Sequence, residues 1–180
     1  LEARHQLPLD ELLRVQLVLR MRKMRRLNQA SGVKHQVDSA LLTKFVEGLP
    51  FALTGAQQKT MSEISVDLKS EQPMHRLLQG DVGSGKTLVA MYALLIAVTE
   101  GHQGALMAPT EVLAEQHYLN LAELAKGLEV EDQSTLTGAR PISVKLLTNR
   151  VTGSDRRRVV QGMEEGSVDL VIGTHALIQE

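Results

Sequence analysis

The sequence predicts an α/β fold in which a mostly parallel sheet is flanked by helices. Four short apolar segments have strand character: RLLQG, GALMAP, SVKLLT and VDLVIGT. Longer segments of helical character separate them, and strands joined by such helices form crossover units that align the strands in parallel. A glycine-rich stretch lies between the first strand segment and the helix after it, as in folds that bind phosphate at a strand-to-helix turn.

Residues 1 to about 50 predict helices only. Leu13, Leu17, Met21 and Met24 fall on one helical stripe. Basic residues crowd the last turns of that helix, where cations suit the negative end of the helix dipole; they are Arg20, Arg22, Lys23, Arg25 and Arg26. This cluster is either a solvated helix face against a neighbouring domain or a patch that binds phosphate. The string NQASG ends the helix, and a second helix is predicted over 38–47, with Asp38 as its cap and GLP at 48–50 as its end.

From residue 51 onward the pattern alternates between helix and strand. Thr54 and Gln57 have the spacing of a capping box at the start of a helix. Further helices are predicted over 86–100, 110–126 and 154–165. Residues 129–143 combine turn-forming residues with little periodicity, which predicts a loop.

Composition limits the function classes. The net charge of −1 gives no global attraction to nucleic acid, and the four aromatic residues are too few for a base-stacking surface, so any such contact is expected at phosphates. The absence of cysteine excludes a disulfide scaffold. The six histidines show no ligand spacing, which argues against zinc. The first residues, LEARHQLPLDELL, do not have the layout of a signal peptide, and no apolar run approaches the roughly 20 residues of a membrane helix. The start without Met and the apolar end HALIQE suggest a piece of a longer protein.

The stretch GDVGSGKT at 80–87 matches the phosphate-loop pattern G-x-x-x-x-G-K-[ST]. Its glycines allow backbone N–H groups to approach phosphate oxygens, and the next helix begins with its positive end there. Lys86 is expected at the β- and γ-phosphates and Thr87 at Mg²⁺. A kinase or a GTPase uses the same loop, but the string NRVT lacks the Asp of a guanine reader. The Gln57 amide can pair with an adenine edge, which favours ATP.

Four strings in this order resemble the first, RecA-like motor domain of superfamily 2 helicases: FALTGAQQ, GDVGSGKTLVA, ALMAPTEVLAEQH and VIGTHALIQ. Within that superfamily they are most similar to bacterial translocases that remodel branched DNA at stalled forks. The resemblance implies a helical linker from a DNA-binding wedge domain over 1–50 and the N-terminal part of motor domain 1 over 51–180. It implies ATP and Mg²⁺ as cofactors, a bacterial cytoplasmic location, and three partners: branched duplex DNA, the wedge domain and a second motor domain.

The resemblance also assigns residues. It implies adenine or triphosphate binding by Phe51, Thr54, Gln57, Gly80, Gly83, Ser84, Gly85, Lys86 and Thr87, with Lys86 and Thr87 catalytic. It implies contacts with DNA phosphates at two turns, made by Pro109, Thr110 and Glu111 and by Gly173, Thr174 and His175. Thr110 has an alternative role as a helix cap, and His175 has one in packing against the sheet edge. Relatives of this kind run LLTGS without a break, whereas here residues 149–152 interrupt it.

The acidic box that holds Mg²⁺ and orients water, an apolar run followed by Asp-Glu, does not occur after the phosphate loop; the chain has Asp-Glu only at residues 10–11, far ahead of that loop. The resemblance places the missing strands beside the phosphate-loop strand, so we expect an incomplete sheet and almost no hydrolysis by these residues alone. Two alternatives stay open: a nucleotide-binding or interaction module, and the related transcription-repair coupling translocase.

Overall fold

A computed structural model describes residues 11–22, 24 and 32–178. Residues 11–22 form a first helix, α1. The remaining helices are α2 (Ala40–Glu47), α3 (Gly55–Leu68), α4 (Lys86–Val98), α5 (Glu111–Leu124) and α6 (Gly153–Glu164), followed by a short 3₁₀ helix (His175–Leu177). The strands are β1 (Gly104–Met107), β2 (Glu129–Glu131), β3 (Ala139–Pro141), β4 (Val144–Leu147) and β5 (Leu170–Gly173). No helix among the described residues is long and apolar enough to cross a membrane.

Three strands form a parallel sheet in the order β1-β5-β4. The predicted strands within GALMAP, SVKLLT and VDLVIGT are therefore confirmed, and so is their parallel arrangement. The central strand β5 is buried along its whole length. Its residues Leu170 and Ile172 join the main core, whereas Val171 packs on the opposite side with Val159 and Met163 of α6. Burial on both sides is the normal state of a parallel sheet.

Helix α4 is the centre of the main core. Its residues Met91, Leu95 and Ile96 are fully buried, and it contacts α2, α3, α5 and β1. A helix that is apolar on nearly all sides needs neighbours on all sides, and α4 has them. Because the first residue of α4 is Lys86, this packing also fixes the position of the glycine-rich loop.

Three local predictions were wrong. Residues 129–143 are not a loop, because β2 and β3 pair there as an antiparallel hairpin. The cap of α2 is Ser39, whose hydroxyl accepts from the Leu42 N–H, and not Asp38. Residues 76–80, RLLQG, form neither a strand nor a helix. A strand exists only when a neighbour accepts its hydrogen bonds, and the described residues supply no neighbour here.

A cavity of about 420 Å³ separates this unpaired segment from the free edge of β1. Met74 and Leu78 line one side, and Gly104 and Leu106 line the other. The lining is mostly apolar, and it also includes Ile64 of α3 and Ala93 and Leu94 of α4. The sheet therefore has a gap between β1 and the segment that leads into the glycine-rich loop.

The other helix predictions largely hold. Thr54 and Gln57 form both hydrogen bonds of a capping box at α3, and Gly48 ends α2. Helices α4, α5 and α6 lie within a residue or two of their predicted bounds. The predicted stripe of α1 (Leu13, Leu17, Met21 and Met24) is exposed. Lys23, Arg25 and Arg26 of the basic cluster and most of NQASG lie outside the described residues.

Candidate nucleotide and DNA-facing site

The candidate site lies at the carboxyl ends of the parallel strands. Met107 of β1 and Leu147 of β4 both stand in register with Gly173 of β5, so all three strands end at one edge. Ligands of open α/β sheets bind outside the carboxyl ends of the strands. The turns that follow β1, β4 and β5 therefore lie close together, as the parallel topology predicts for Thr110 and His175.

The glycine-rich loop turns sharply at two glycines. Gly83 and Gly85 have φ values of 81° and 84°, a region that side chains disfavour. Gly85 is also the N-cap residue of α4, so the loop opens directly onto the positive end of that helix. Loop residues 80–84 are exposed. The backbone has the turn and the helix dipole that phosphate binding requires.

The Lys86 side chain folds back over its own loop. Its ammonium group donates to the carbonyl oxygens of Gly80 and Asp81 at 2.8 and 2.7 Å. A bound phosphate oxygen and these carbonyls compete for the same donor. The ammonium is thus already held beside the loop by bonds that it can exchange for a nucleotide.

Gln57 connects α3 to the glycine-rich loop. Its amide oxygen accepts from the Thr54 N–H at 2.9 Å, and its amide nitrogen donates to the Ser84 carbonyl at 3.0 Å. A Cβ atom at Gly85 would overlap that nitrogen. Gln57 therefore holds the loop in shape, a role that the sequence did not reveal, and it keeps one amide hydrogen and one oxygen lone pair for a base.

The remaining predicted nucleotide residues are placed as follows. Gly80 packs against Ser84, whose hydroxyl oxygen lies 2.7 Å from the position of a Cβ atom at residue 80. Thr87 is half-buried on the first turn of α4. Phe51 is 53% exposed and lines a cavity with Leu124 near the ends of α2 and α5. Among the predicted nucleotide residues, Phe51 is therefore the one that lies beside the ends of α2 and α5.

The turn after β1 begins α5. Thr110 is its N-cap, and the Thr110 hydroxyl accepts from the Leu113 N–H at 3.3 Å. This confirms the capping alternative. Pro109 and Thr110 are exposed, and the hydroxyl retains its own proton for a further acceptor. Capping and a phosphate contact are therefore compatible at Thr110.

The turn after β5 differs from the prediction at one residue. Thr174 is only 2% exposed, and its hydroxyl accepts from the Ala176 N–H, so this hydroxyl does not face solvent. Gly173 lies so close to the Leu147 carbonyl that a Cβ atom would overlap it, which gives this glycine a packing role. His175 is exposed and is the side chain of this turn that can reach a ligand.

Arg150, from the interrupting residues 149–152, was not predicted to belong to this site. Its guanidinium pairs with Glu111 at 2.9 Å and with Glu115 at 3.3 Å, both on the first turns of α5. The side chain of Arg150 remains 66% exposed. It partly neutralises two carboxylates that would otherwise repel a phosphate backbone. The only sequence signal for this role was the departure from LLTGS.

A second ion-pair network stabilises the opposite end of the sheet. Asp169 is 7% exposed and receives two hydrogen bonds from Arg140 at 2.6 and 2.9 Å and one from the Ser143 N–H at 2.7 Å. The bond to Asp169, opposed in part by burial, raises the pKa of Arg140 above its usual range. Hydrogen bonds from Ser134 lower the pKa of Asp132, which also pairs with Arg140. This network ties the β2–β3 hairpin to the start of β5.

Known proteins resemble the chain over almost its whole length. A family model described as DEAD/DEAH box helicase matches residues 54–180. The ATP-dependent DNA helicase RecG of Bacillus subtilis is 41% identical over 178 residues, which are 99% of this chain and 24% of that protein. RecG of Streptococcus pneumoniae is 42% identical over 179 residues, which are 99% of this chain and 25% of that protein.

A solved structure supports the same similarity. It is described as RecG bound to a three-way DNA junction, and it matches 94% of this chain and 22% of its own with a TM-score of 0.81 and 40% identity. The chain thus spans about a quarter of the length of the relatives that it matches.

Proposed function

The chain belongs to the DEAD/DEAH box helicase family, and on that premise we propose that it is the ATP-binding part of a DNA translocase that remodels branched DNA. In this proposal residues 51–180 are the N-terminal part of a first motor domain, and residues 1–50 are the helical linker that precedes it. The relatives named above are ATP-dependent DNA helicases, and the similar solved structure is described as RecG bound to a three-way DNA junction. Forked or junction DNA is accordingly the proposed substrate.

One observation carries the nucleotide part of the proposal: the Lys86 ammonium lies on two loop carbonyls directly in front of α4. Mg·ATP would supply phosphate oxygens in place of those carbonyls, and a charge-assisted bond is stronger than a neutral one. Thr87 would hold Mg²⁺ through its hydroxyl, and Gln57 would read adenine with its spare hydrogen-bonding capacity.

We propose that DNA lies along the turns after β1, β4 and β5. Thr110, Arg150 and His175 are exposed there, and each offers a group that can donate to a phosphate oxygen. Contacts of this kind do not depend on base identity, as movement along any sequence requires. Arg150 adds positive charge where Glu111 and Glu115 are negative.

The gap beside β1 supports the view that the motor is completed by further chain. The unpaired segment 76–80 and the free edge of β1 both lack a partner among the described residues, and the cavity between them is mostly apolar. We propose that strand sequence outside these 180 residues fills it and carries the missing Asp-Glu. Hydrolysis would then need that segment, and binding would not.

The experiment that tests this proposal is a titration of the chain with a fluorescent ATP analogue and Mg²⁺. Lys86→Ala should abolish saturable binding, because the loop loses its cation. Lys126→Ala is the matched control, since it removes the same charge from an exposed site just beyond the C-terminal end of α5. Equal affinity of wild type and Lys86→Ala would refute the nucleotide site.

The same preparation distinguishes a motor from a binding module. We expect ATP turnover at background level, with and without forked DNA, because the acidic box is absent from the sequence. DNA-stimulated turnover that Lys86→Ala removes would show that these residues hydrolyse ATP without the box, against our proposal.

A further inference from the structure

A second cluster of ligand-type side chains lies away from the nucleotide loop. His35 belongs to segment 32–39, which precedes α2 and has no regular secondary structure, whereas Glu100 and His102 follow the end of α4. The His35 Nδ1 and Glu100 Oε2 atoms are 3.1 Å apart, and the two imidazole rings stand edge to face with centroids 5.4 Å apart. One ligand atom from each of the three residues lies within 4.8 Å of the others.

Although the spacing of the histidines along the sequence argues against zinc, the fold brings these three residues together, and we propose that they form a site for a divalent transition-metal ion such as Zn²⁺. Two imidazole nitrogens and one carboxylate oxygen are a donor set that zinc uses in proteins, with water in a fourth position. Tetrahedral Zn²⁺ with bonds of roughly 2.1 Å needs its ligand atoms about 3.4 Å apart. The pair formed by His35 and Glu100 already has nearly this spacing.

His102 can supply the remaining adjustment. It is exposed and follows Gly101, whose φ of 76° makes a turn at this point. Drawing the ligand atoms from 4.8 Å to about 3.4 Å requires a shift of roughly 1.4 Å, which a side-chain rotation in an exposed turn can provide.

The surroundings of Glu100 favour a cation. The second carboxylate oxygen of Glu100 accepts from the Gln36 N–H at 2.9 Å, so its orientation is fixed from outside the cluster, as in built metal sites. Glu100 stands just beyond the last residue of α4, where the helix dipole is negative.

This site is distinct from the proposed Mg·ATP site. The two lie at opposite ends of α4, whose 13 residues span about 20 Å. A metal here would tie segment 32–39 to the body of the molecule, beside the backbone bond from His35 N to Leu68 O. The proposed role is therefore structural: it fixes the path by which the chain enters the motor.

The test is a calorimetric titration of chelator-treated protein with Zn²⁺, paired with thermal unfolding. We expect one saturable site and a higher Tm in Zn²⁺. His102→Ala should weaken binding at least tenfold and remove the Tm increase, and His35→Gln should do the same. His102 is exposed, so its variant should fold even if the half-buried His35 does not tolerate replacement.

His75→Gln is the matched control, because His75 is an exposed histidine in another segment. Zn²⁺ affinity in this variant should equal that of wild type. The proposal is overturned if wild type shows no saturable binding at micromolar free Zn²⁺, or if His102→Ala binds as tightly as wild type. Neither outcome involves ATP, so the result is independent of the nucleotide proposal.

Discussion

Replacing Gly85 or Gly83 by alanine separates two reasons for glycine in the phosphate loop. Both positions have nearly the same positive φ, so both alanines pay the same backbone cost. A Cβ atom at Gly83 meets nothing within 4 Å, whereas one at Gly85 overlaps the Gln57 amide nitrogen. Gly83→Ala is thus a natural control for Gly85→Ala.

The expected magnitudes follow from these contacts. A non-glycine residue in the left-handed region costs about 1–2 kcal/mol, and this applies to both variants. Gly85→Ala also displaces the Gln57 amide, which ends its bond to Ser84 and disturbs its bond to Thr54. Each such bond contributes about 1 kcal/mol. Gly85→Ala should therefore be less stable than Gly83→Ala by about 1–2 kcal/mol.

The assay is urea unfolding followed by circular dichroism, with both alanines made in wild type and in Gln57→Ala. Once Gln57 is truncated, the overlap is gone and the two glycine variants should become equal. The cycle should then give a coupling of about 1–2 kcal/mol between Gly85 and Gln57 and none between Gly83 and Gln57. Equal stability of the two variants in wild type, or strict additivity in the cycle, would refute the reasoning.

Three further predictions concern the ion pairs. Asp169→Asn should lower the free energy of unfolding by about 3 kcal/mol in urea, because it leaves Arg140 without its buried partner; no change would show the pair to be dispensable. Because the pKa of Asp132 is lowered, its carboxylate stabilises the fold at pH values above the ordinary pKa of 3.8. Asp132→Asn should therefore be less stable than wild type at neutral pH, and this difference should vanish as the pH falls below 3.8 and through the lowered pKa. A difference that grows on acidification would contradict the argument. Arg150→Ala should weaken the binding of forked DNA relative to the control Lys126→Ala. The salt dependence of the DNA affinity should fall by about one phosphate contact, and an unchanged salt slope would exclude Arg150 from the interface.

Most of the local chemistry was readable from the sequence where neighbouring residues decide the outcome, although the cap of α2 is Ser39 and not the predicted Asp38. The capping box at Thr54, the glycine turns and the start of α4 at Lys86 all depend on residues within a few positions of one another. The three strands of the sheet were also predicted, because short apolar runs between helices are typical of buried strands. These features fixed the fold class and the position of the glycine-rich loop.

Contacts between distant residues were decided only by the tertiary structure. Gln57 lies 27 residues from Ser84, Arg150 lies 35 from Glu115, and His35 lies 65 from Glu100. No periodicity in the sequence connects such positions. The bond from Gln57 to the glycine-rich loop, the pairing of Arg150 with α5 and the histidine cluster therefore could not be predicted.

The misplaced strand at 76–80 and the unseen hairpin at 129–143 have a related cause. Strand character is a local property, but a strand forms only where another strand accepts its hydrogen bonds. The short, polar strands β2 and β3 pair with each other, whereas RLLQG, despite its two leucines, has no partner among the described residues. The sequence by itself determined the three strands of the parallel sheet, whereas the tertiary structure alone decided that residues 129–143 pair with each other and that residues 76–80 do not, because pairing depends on a partner strand.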